Sequence, residues 1–422
     1  MNKNLEEENL RLKSAVEELS ILNEIAVAIS STMKVEEINK LIVGKCINSI
    51  GVEQGAVTLL KEDQSEPLKT FVRVMDKKPD NIPYRLGMSL TGWMLKNQKP
   101  LLINDISSDA RFAGISLESG KIKSILSVPL KVKNKMIGHI SLFNKKGGDF
   151  NPEDLRLLSI IAIQSAQTIE SARLYEEERK LADLEEDLKV ARQIQQSLLP
   201  KKNPEIEGVE IHGYSIPAKQ VGGDYYDFIR IDDTHLGIVI ADVSGKGTPA
   251  ALLMSNLQAC LRGQALTNHS VKDTVAKVNF TMCTFMEMGK FITLFYGILD
   301  TQNKTFTYTN AGHNYPFLLG GDGNVKTLEK GGIVLGTLDN SLYDEETVQL
   351  KPGDLILLYT DGITEAANEK NEMFEEQKLL ELLKDIQGTS AQELSQKIVD
   401  DVLSFQGSLP QGDDITLVLI KT

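Results

Sequence analysis

The sequence predicts an α+β protein with two domains joined by a long helix. Up to Leu174, helical spacing gives way to strand-like runs and then returns. Between Thr168 and Leu199 an apolar heptad runs without glycine or proline, and from Ile206 onward the chain is glycine-rich, with strands interrupted by helix pairs. At ~150 residues per domain, the 422 residues of the chain are too many for one compact domain. The expected divisions are 1–20, 21–174, 175–200 and 201–422.

The first segment has the heptad stripe Leu5, Leu12, Leu19, with Asn9, Val16 and Asn23 four residues after each. Asparagines at a seam that is otherwise apolar specify the register of a parallel coiled coil; an amphipathic helix lying on its own domain is the plainer alternative. Helical spacing then runs to Ile50, and strands are expected at 55–61, 68–74, 101–104, 124–132 and 135–144, with Asn134-Lys135 as the tight turn before the last. Asn151 as N-cap and Pro152 at the first helical position open the next helix. Helix, antiparallel sheet and helix make one α+β domain of about 150 residues.

That helix continues to Pro200. Leu174, Leu181 and Leu188 form one seam, Leu184, Ala191 and Leu198 the second, and acidic and basic residues flank both. Such a rod would couple the two halves of the chain mechanically. Beyond it, strands are expected at 209–215, 225–231, 236–242, 292–299, 305–309, 316–319, 354–359 and 415–420. Helices are expected at 249–265, 271–287, 375–384 and 391–404, the last opened by the capping box Ser390–Glu393. Long antiparallel strands with inserted helix pairs point to two packed sheets flanked by helices.

Composition excludes several classes of function. Hydrophobic residues at 41% and charged ones at 25% are ordinary globular values. Lys and Arg number 46 against 59 Asp and Glu, for a net charge of −13 and a pI near 5.1, which disfavours nucleic acid or an anionic membrane as partner. No apolar run approaches the ~18 residues needed to span a bilayer, and the acidic opening Met1–Glu8 does not resemble a signal peptide. A cytoplasmic protein is expected. Cys46, Cys260 and Cys283 are too few and too scattered for a disulfide framework or a thiolate zinc site. With five dispersed histidines, a catalytic metal would sit in oxygen ligands.

Four aspartates supply such ligands. If Asp232-Asp233-Thr234 is a hairpin loop, pairing Ile231 with His235 sets Asp224 directly opposite Asp242, on the face shared by Tyr226, Phe228, Ile238 and Ile240. Opposed side chains there have Cβ atoms about 5 Å apart, and like charges repel. Two ionised carboxylates at the end of a buried stripe are costly unless a cation lies between them. Asp361 follows the apolar strand Leu355–Tyr359, and Asp413-Asp414 precede Ile415–Ile420. One aspartate so placed is readily a turn residue; four in one half of the chain point to a metal. Hard oxygen ligands favour Mg²⁺ or Mn²⁺, and two ions about 3.5–4 Å apart share and acidify a water, which supplies a nucleophile without serine or cysteine. Glycines 222, 223, 245 and 247 allow close approach to the backbone. Lys246 is a solvated lysine or a phosphate contact.

Residues 221–228 (VGGDYYDF), 242–247 (DVSGKG) with 250–252 (AAL), 310–313 (NAGH), 360–365 (TDGITE) and 412–416 (GDDIT) together resemble the metal-dependent PPM-type protein serine/threonine phosphatases, in their SpoIIE/RsbU-like bacterial branch. The preceding 191–200 (ARQIQQSLLP) resembles the helix leading into that domain. The resemblance implies an α-β-β-α sandwich with a dinuclear Mn²⁺ or Mg²⁺ centre. Asp242 would bridge both ions, Asp224 and the Val243 carbonyl would complete one, and Asp361 and Asp413 would hold the other. Asp414 stands where eukaryotic relatives usually have Asn, and would act from behind the ligands. The phosphate-binding arginine of those relatives has no counterpart. His313 is either a general acid or a hydrogen-bonded structural histidine.

Residues 90–93 (LTGW), 100–105 (PLLIND), 109–112 (DARF), 124–130 and 137–140 (IGHI), with the helix from Asn151, resemble a GAF domain. Asn144-Lys145, Phe150 and Asp154 fit the pattern of cyclic-nucleotide-binding members, but Leu155 replaces its glutamate. Cys46 and Trp93 read as core residues. The expected protein is a dimeric signalling phosphatase controlled through its GAF domain, which would take a small ligand or a partner. Its substrate would be a phosphoserine or phosphothreonine on a partner-switching protein, such as an STAS-domain anti-sigma-factor antagonist. The alternatives are a catalytically silent binding scaffold and a hydrolase of small phosphoesters.

Overall fold

The computed structural model describes residues 34–60, 68–74, 88–112, 122–287, 289–384 and 388–422, with Glu8 and Val16. The heptad helix expected over 1–20 therefore lies outside the described residues apart from those two, both helical. The chain separates into two compact units, Met1–Asp183 and Leu184–Thr422. Among the described residues no helix is long and apolar enough to cross a membrane.

In the first unit, α1 (Val35–Ile50) leads into β1 (Val52–Leu60) and β2 (Leu68–Val74). Then come α2 (Met88–Asn97), β3 (Leu101–Ile103), β4 (Ile125–Val132), β5 (Lys135–Lys145) and the first part of α3 (Pro152–Leu198), whose residues from Leu184 belong to the second unit. The sheet order is β2-β1-β5-β4-β3, antiparallel throughout. One face packs α1 and the start of α3 around Ile42, Ile47, Leu142 and Leu158; the other carries Met94, Ile103 and Phe143. Cys46 is fully buried in the first cluster, and burial pushes its thiol up to about 12, so it is inert. Trp93 is half-buried against the second.

Asn151 caps α3 as expected, its Oδ1 accepting from the Glu153 and Asp154 N–H groups at 2.9 Å. The tight turn before β5 falls on Lys133-Asn134, with Lys133 at φ 54, one residue earlier than the sequence pattern indicates. The cyclic-nucleotide-like residues are engaged in structural bonds. Asn144 accepts from Lys123 N–H at 2.8 Å, Lys145 pairs with Asp154, and Phe150 exchanges backbone hydrogen bonds with the Asn104 side chain. α3 passes Leu174, Leu181 and Leu184 with each more than half exposed, so that seam has no partner within the described residues.

The second unit holds two sheets. One has the order β13-β10-β9-β8-β7, with β14 also on β10, and contains β7 (Tyr225–Arg230), β8 (His235–Val243), β9 (Ile292–Asp300), β10 (Thr305–Ala311), β13 (Gly331–Gly332) and β14 (Glu346–Gln349). The other, in the order β12-β11-β15-β16-β6, is built from β6 (Glu210–Ile216), β11 (Phe317–Leu319), β12 (Val325–Thr327), β15 (Leu355–Tyr359) and β16 (Ile415–Lys421). Alternation decides which side chain faces which layer. Tyr226, Ile238, Ile240, Phe295, Ile356, Leu358 and Val418 meet between the sheets. Tyr225, Val239 and Ala241 turn outward beneath α4 (Thr248–Ala265) and α5 (Val271–Cys283). Leu355, Leu357, Leu417 and Leu419 turn the other way, beneath α7 (Glu375–Leu382) and α8 (Ala391–Gln406). The layers are thus α-β-β-α.

Pairing of β7 with β8 follows the expected register, Tyr225 opposite Ala241 and Arg230 opposite Leu236. The capping box at Ser390 and Glu393 is present in both directions. α5 stops at Cys283 rather than 287, and a one-turn helix, α6 (Asp361–Thr364), follows β15. The short β12, β13 and β14 were not anticipated, because two to four residues carry no readable alternation.

Candidate active site

Asp224 directly precedes β7, and Asp242 is the penultimate residue of β8, so the register that pairs Tyr225 with Ala241 brings the two acids to one end of the inter-sheet layer. Asp361 opens α6 at the end of β15, and Asp413-Asp414 lead into β16. The four strands therefore deliver their acids to a common edge. Burial, then the Asp242 and Asp414 carboxylates, holds Asp224 well above the usual carboxylate range. Asp242 is pushed up to about 7 by burial and then by Asp361, Asp413 and Asp414. Asp361 is raised by burial and by Asp413 and Glu365. Each shift expresses the same condition, negative charge gathered where water cannot screen it.

The acids do not all point inward. Asp413 Oδ2 pairs with Lys246 Nζ at 2.8 Å, and Lys246 also donates to the Gly412 carbonyl at 2.5 Å, so Lys246 is no merely solvated lysine. Asp414, 8% exposed, accepts from the backbone N–H groups of Ala218 at 2.7 Å, Gly223 at 2.6 Å and Asp224 at 3.3 Å. It fixes the loop that carries Asp224. Among the described residues no three His, Cys, Asp or Glu side chains stand as a ready-made metal cage. The donor set nonetheless suits a divalent ion. Its donors are all oxygen, it carries excess negative charge in a half-buried place, and Asp413 has already drawn in a cation.

Glycines make the closeness possible. A Cβ on Gly223 would meet the Val243 carbonyl oxygen at 2.8 Å, and one on Gly222 would meet Asp414 Oδ2 at 2.3 Å. Two residues that sequence reasoning missed also organise this edge. Thr360 Oγ1 donates to Asp224 Oδ2 at 2.8 Å while accepting from Thr416 N–H at 3.0 Å, which ties both sheets to one carboxylate. Gln195, near the end of α3, clasps Gly222, donating to its carbonyl at 2.7 Å and accepting from its N–H at 3.1 Å. The strand-adjacent threonine and the helix glutamine carry no local signal of these long-range bonds.

His313 is 3% exposed and shares a 2.8 Å hydrogen bond between Nδ1 and Thr293 Oγ1. Burial lowers it to about 4, so the imidazole is neutral. Asn310 brackets it, accepting from the His313 N–H at 2.7 Å and donating to its carbonyl at 3.0 Å. A neutral histidine closed off in this way holds no proton for a leaving group at neutral pH.

Asp227, from the same motif as Asp224, faces the helices instead. Fully buried, it accepts from Tyr225 Oη at 2.6 Å and from Arg262 Nε and Nη2 at 2.6 and 2.8 Å. This pair locks α4 onto β7. Arg262→Met leaves a buried carboxylate without its cation and is expected to cost about 3–5 kcal/mol. Asp227→Asn is expected to cost less, since the Arg262 side chain is 45% exposed and can turn to water. Urea unfolding of both variants measures the order, and equal losses would contradict it.

Comparison with known proteins places these features. A family model described as Stage II sporulation protein E (SpoIIE) matches residues 232–422, and a GAF domain model matches 32–170. The chain is 34% identical over 252 residues to phosphoserine phosphatase RsbU of Bacillus subtilis, covering 58% of this chain and 74% of that protein. It is 30% identical over 261 residues to protein IcfG of Synechocystis sp., covering 56% of this chain and 41% of that one. The fold of the SiaA PP2C domain of Pseudomonas aeruginosa superposes with a TM-score of 0.52 at 21% identity, over 58% of this chain and 98% of that domain. By sequence, fold and motif, the chain belongs to the SpoIIE/RsbU-type PPM protein serine/threonine phosphatases and carries a GAF domain ahead of the phosphatase domain.

Proposed function

We propose that this protein is a cytoplasmic, GAF-controlled phosphatase that removes phosphate from serine or threonine on a signalling protein, with an STAS-domain anti-sigma-factor antagonist as the substrate class. The observation that carries this reading is the convergence of Asp224, Asp242, Asp361 and Asp413 on one edge of the sandwich, where burial and neighbouring carboxylates hold the pKa values of the first three above the usual carboxylate range. The likeness to phosphoserine phosphatase RsbU supports the reaction class. Asp224, Asp242, the Val243 carbonyl, Asp361 and Asp413 would hold two Mn²⁺ or Mg²⁺ ions, with Asp242 shared. Bound there, the ions supply an activated water and neutralise phosphoryl oxygens. The chain's own residues set the geometry: Thr360 orients Asp224, Asp414 fixes the loop beneath it, Gly222 leaves room for the Asp414 carboxylate and Gly223 for the Val243 carbonyl.

Control by the GAF domain, through a small ligand or a partner, rests on two features of α3. It runs unbroken from Pro152 to Leu198, and its Gln195 grips the residue two before Asp224. The exposed leucines of its seam suit a homodimeric coiled coil. The division into residues 1–20, 21–174, 175–200 and 201–422 belongs to the same proposal.

The test is a screen of phosphoproteins with Mn²⁺, beside a generic aryl phosphate, with the full chain. Metal-dependent release of phosphate from phosphoserine is expected. No release from any substrate would leave the silent scaffold, and release from small esters alone the small-molecule hydrolase. Insertion of three or four residues at Asp187 shifts the seam phase and is expected to change basal or regulated activity several-fold; unchanged kinetics and regulation would reject mechanical control.

A further inference from the structure

Two ammonium groups flank the turn that follows Asp242. Lys246 Nζ lies 2.8 Å from Asp413 Oδ2 and 2.5 Å from the Gly412 carbonyl. Lys290 Nζ stands 2.9 Å from the point a Cβ on Gly245 would occupy. Gly245 has φ +102, so the turn favours glycine there, and any side chain would push the Lys290 ammonium away. Lys290 is half-buried, and among the described residues its ammonium has no ion pair or hydrogen bond. An ammonium with no protein partner keeps its three donors for an anion supplied from outside. Lys246 comes to the same condition by competition. Were Asp413 to hold a divalent ion, its carboxylate would no longer be held by Lys246, and that ammonium would stand free beside the site. Beyond the turn, no atom of the described residues lies within 4 Å of the position a Cβ on Gly247 would occupy.

We propose that Lys246 and Lys290 form a phosphoryl-binding pair astride Gly245, which takes the phosphate of a phosphoserine or phosphothreonine side chain. The pair rests on the phosphatase reading above and adds the groups that hold the substrate's charge. Lys246 exchanges Asp413 for the phosphate when the metal ions load; Lys290 is poised from the start.

Full-length protein with Mn²⁺, p-nitrophenyl phosphate as substrate and inorganic phosphate as competing ligand tests the pair. Lys246→Ala and Lys290→Ala are each expected to raise KM and the inhibition constant for phosphate about tenfold, the scale of one charge-assisted hydrogen bond, with kcat changed less. Lys246→Arg and Lys290→Arg are expected to restore most of the affinity, which a merely structural role would not require. Calorimetric titration with Mn²⁺ gives a readout apart from turnover. Lys246→Ala is expected to bind the ion at least as tightly as wild type, having lost the competing ammonium, and Lys290→Ala equally. An unchanged phosphate inhibition constant in both alanine variants would overturn the proposal, as would weaker Mn²⁺ binding in Lys246→Ala. Should wild type hydrolyse nothing, the phosphatase reading fails, and ³¹P NMR titration of inorganic phosphate with Mg²⁺ judges the lysines separately. Binding lost in the double alanine variant would uphold them, and binding absent from wild type or equal in both would overturn them.

Discussion

Asp242→Asn is expected to lower metal-dependent hydrolysis about 10³-fold, the scale of several kcal/mol of lost charge stabilisation in the transition state, and at the same time to stabilise the metal-free fold. Asparagine keeps the shape of the side chain while removing the charge that Asp361, Asp413 and Asp414 repel. The sign of the pH dependence is fixed by the acidity of Asp242, about 7 in the fold against about 3.9 in an unfolded chain. Between these values the folded protein holds a proton that the unfolded chain has released, so this group makes the metal-free fold less stable as pH rises from about 4 to 7. The variant lacks that contribution. In chelator, its advantage over wild type is expected to reach a few kcal/mol above pH 7 and to vanish near pH 4, with relief of the repulsion on Asp224 acting in the same direction. Saturating Mn²⁺ is expected to reverse the order, because it stabilises wild type by mass action. Thermal melts across pH, with and without Mn²⁺, measure both effects. A variant that hydrolyses like wild type, or gains no stability at high pH, would remove Asp242 from the centre of the site.

What the sequence made legible follows from the range of each interaction. The β7–β8 register was readable because three loop residues, Asp232, Asp233 and Thr234, and a strict alternation fix it locally, and the observed pairing follows it from Arg230–Leu236 to Tyr225–Ala241, the residues next to Asp224 and Asp242. The cap at Asn151 and the capping box at Ser390 were readable for the same reason, since their partners lie two or three residues away. Thr360 and Gln195 were not. Their partners, Asp224 and Gly222, lie 136 and 27 residues off in sequence, and only the stacking of the sheets and the course of α3 bring them together. Lys246 was ambiguous because its meaning depends on Asp413, which arrives from the far end of the chain. Asp227 shows the opposite limit. It shares a motif with Asp224, yet one position of odd parity turns it to the helix face and into a structural pair with Arg262.

Gly362→Ala is expected to cost about 3 kcal/mol or more, at the upper end for forced overpacking, and to cripple hydrolysis through two aspartates at once. A Cβ at 362 would lie 1.9 Å from the Asp414 carbonyl oxygen, 2.8 Å from its carbonyl carbon and 3.4 Å from that of Asp413. These are backbone atoms, with no flexible side chain to move aside. Either α6 must retreat, carrying Asp361 with it, or the entry to β16 must move. The second route displaces Asp414, whose carboxylate holds the N–H groups of Ala218, Gly223 and Asp224. A displacement on one sheet thus reaches the acid on the other. Gly412→Ala, one residue before Asp413, is the matched control, because no atom of the described residues lies within 4 Å of its Cβ position and its backbone is not left-handed. The control is expected to change stability by less than about 0.5 kcal/mol. Urea unfolding and Mn²⁺ titration of the two variants separate the outcomes. Near-wild-type stability and metal affinity in Gly362→Ala would mean that the contact between the Asp361 turn and the Asp413–Asp414 strand does not hold the site together.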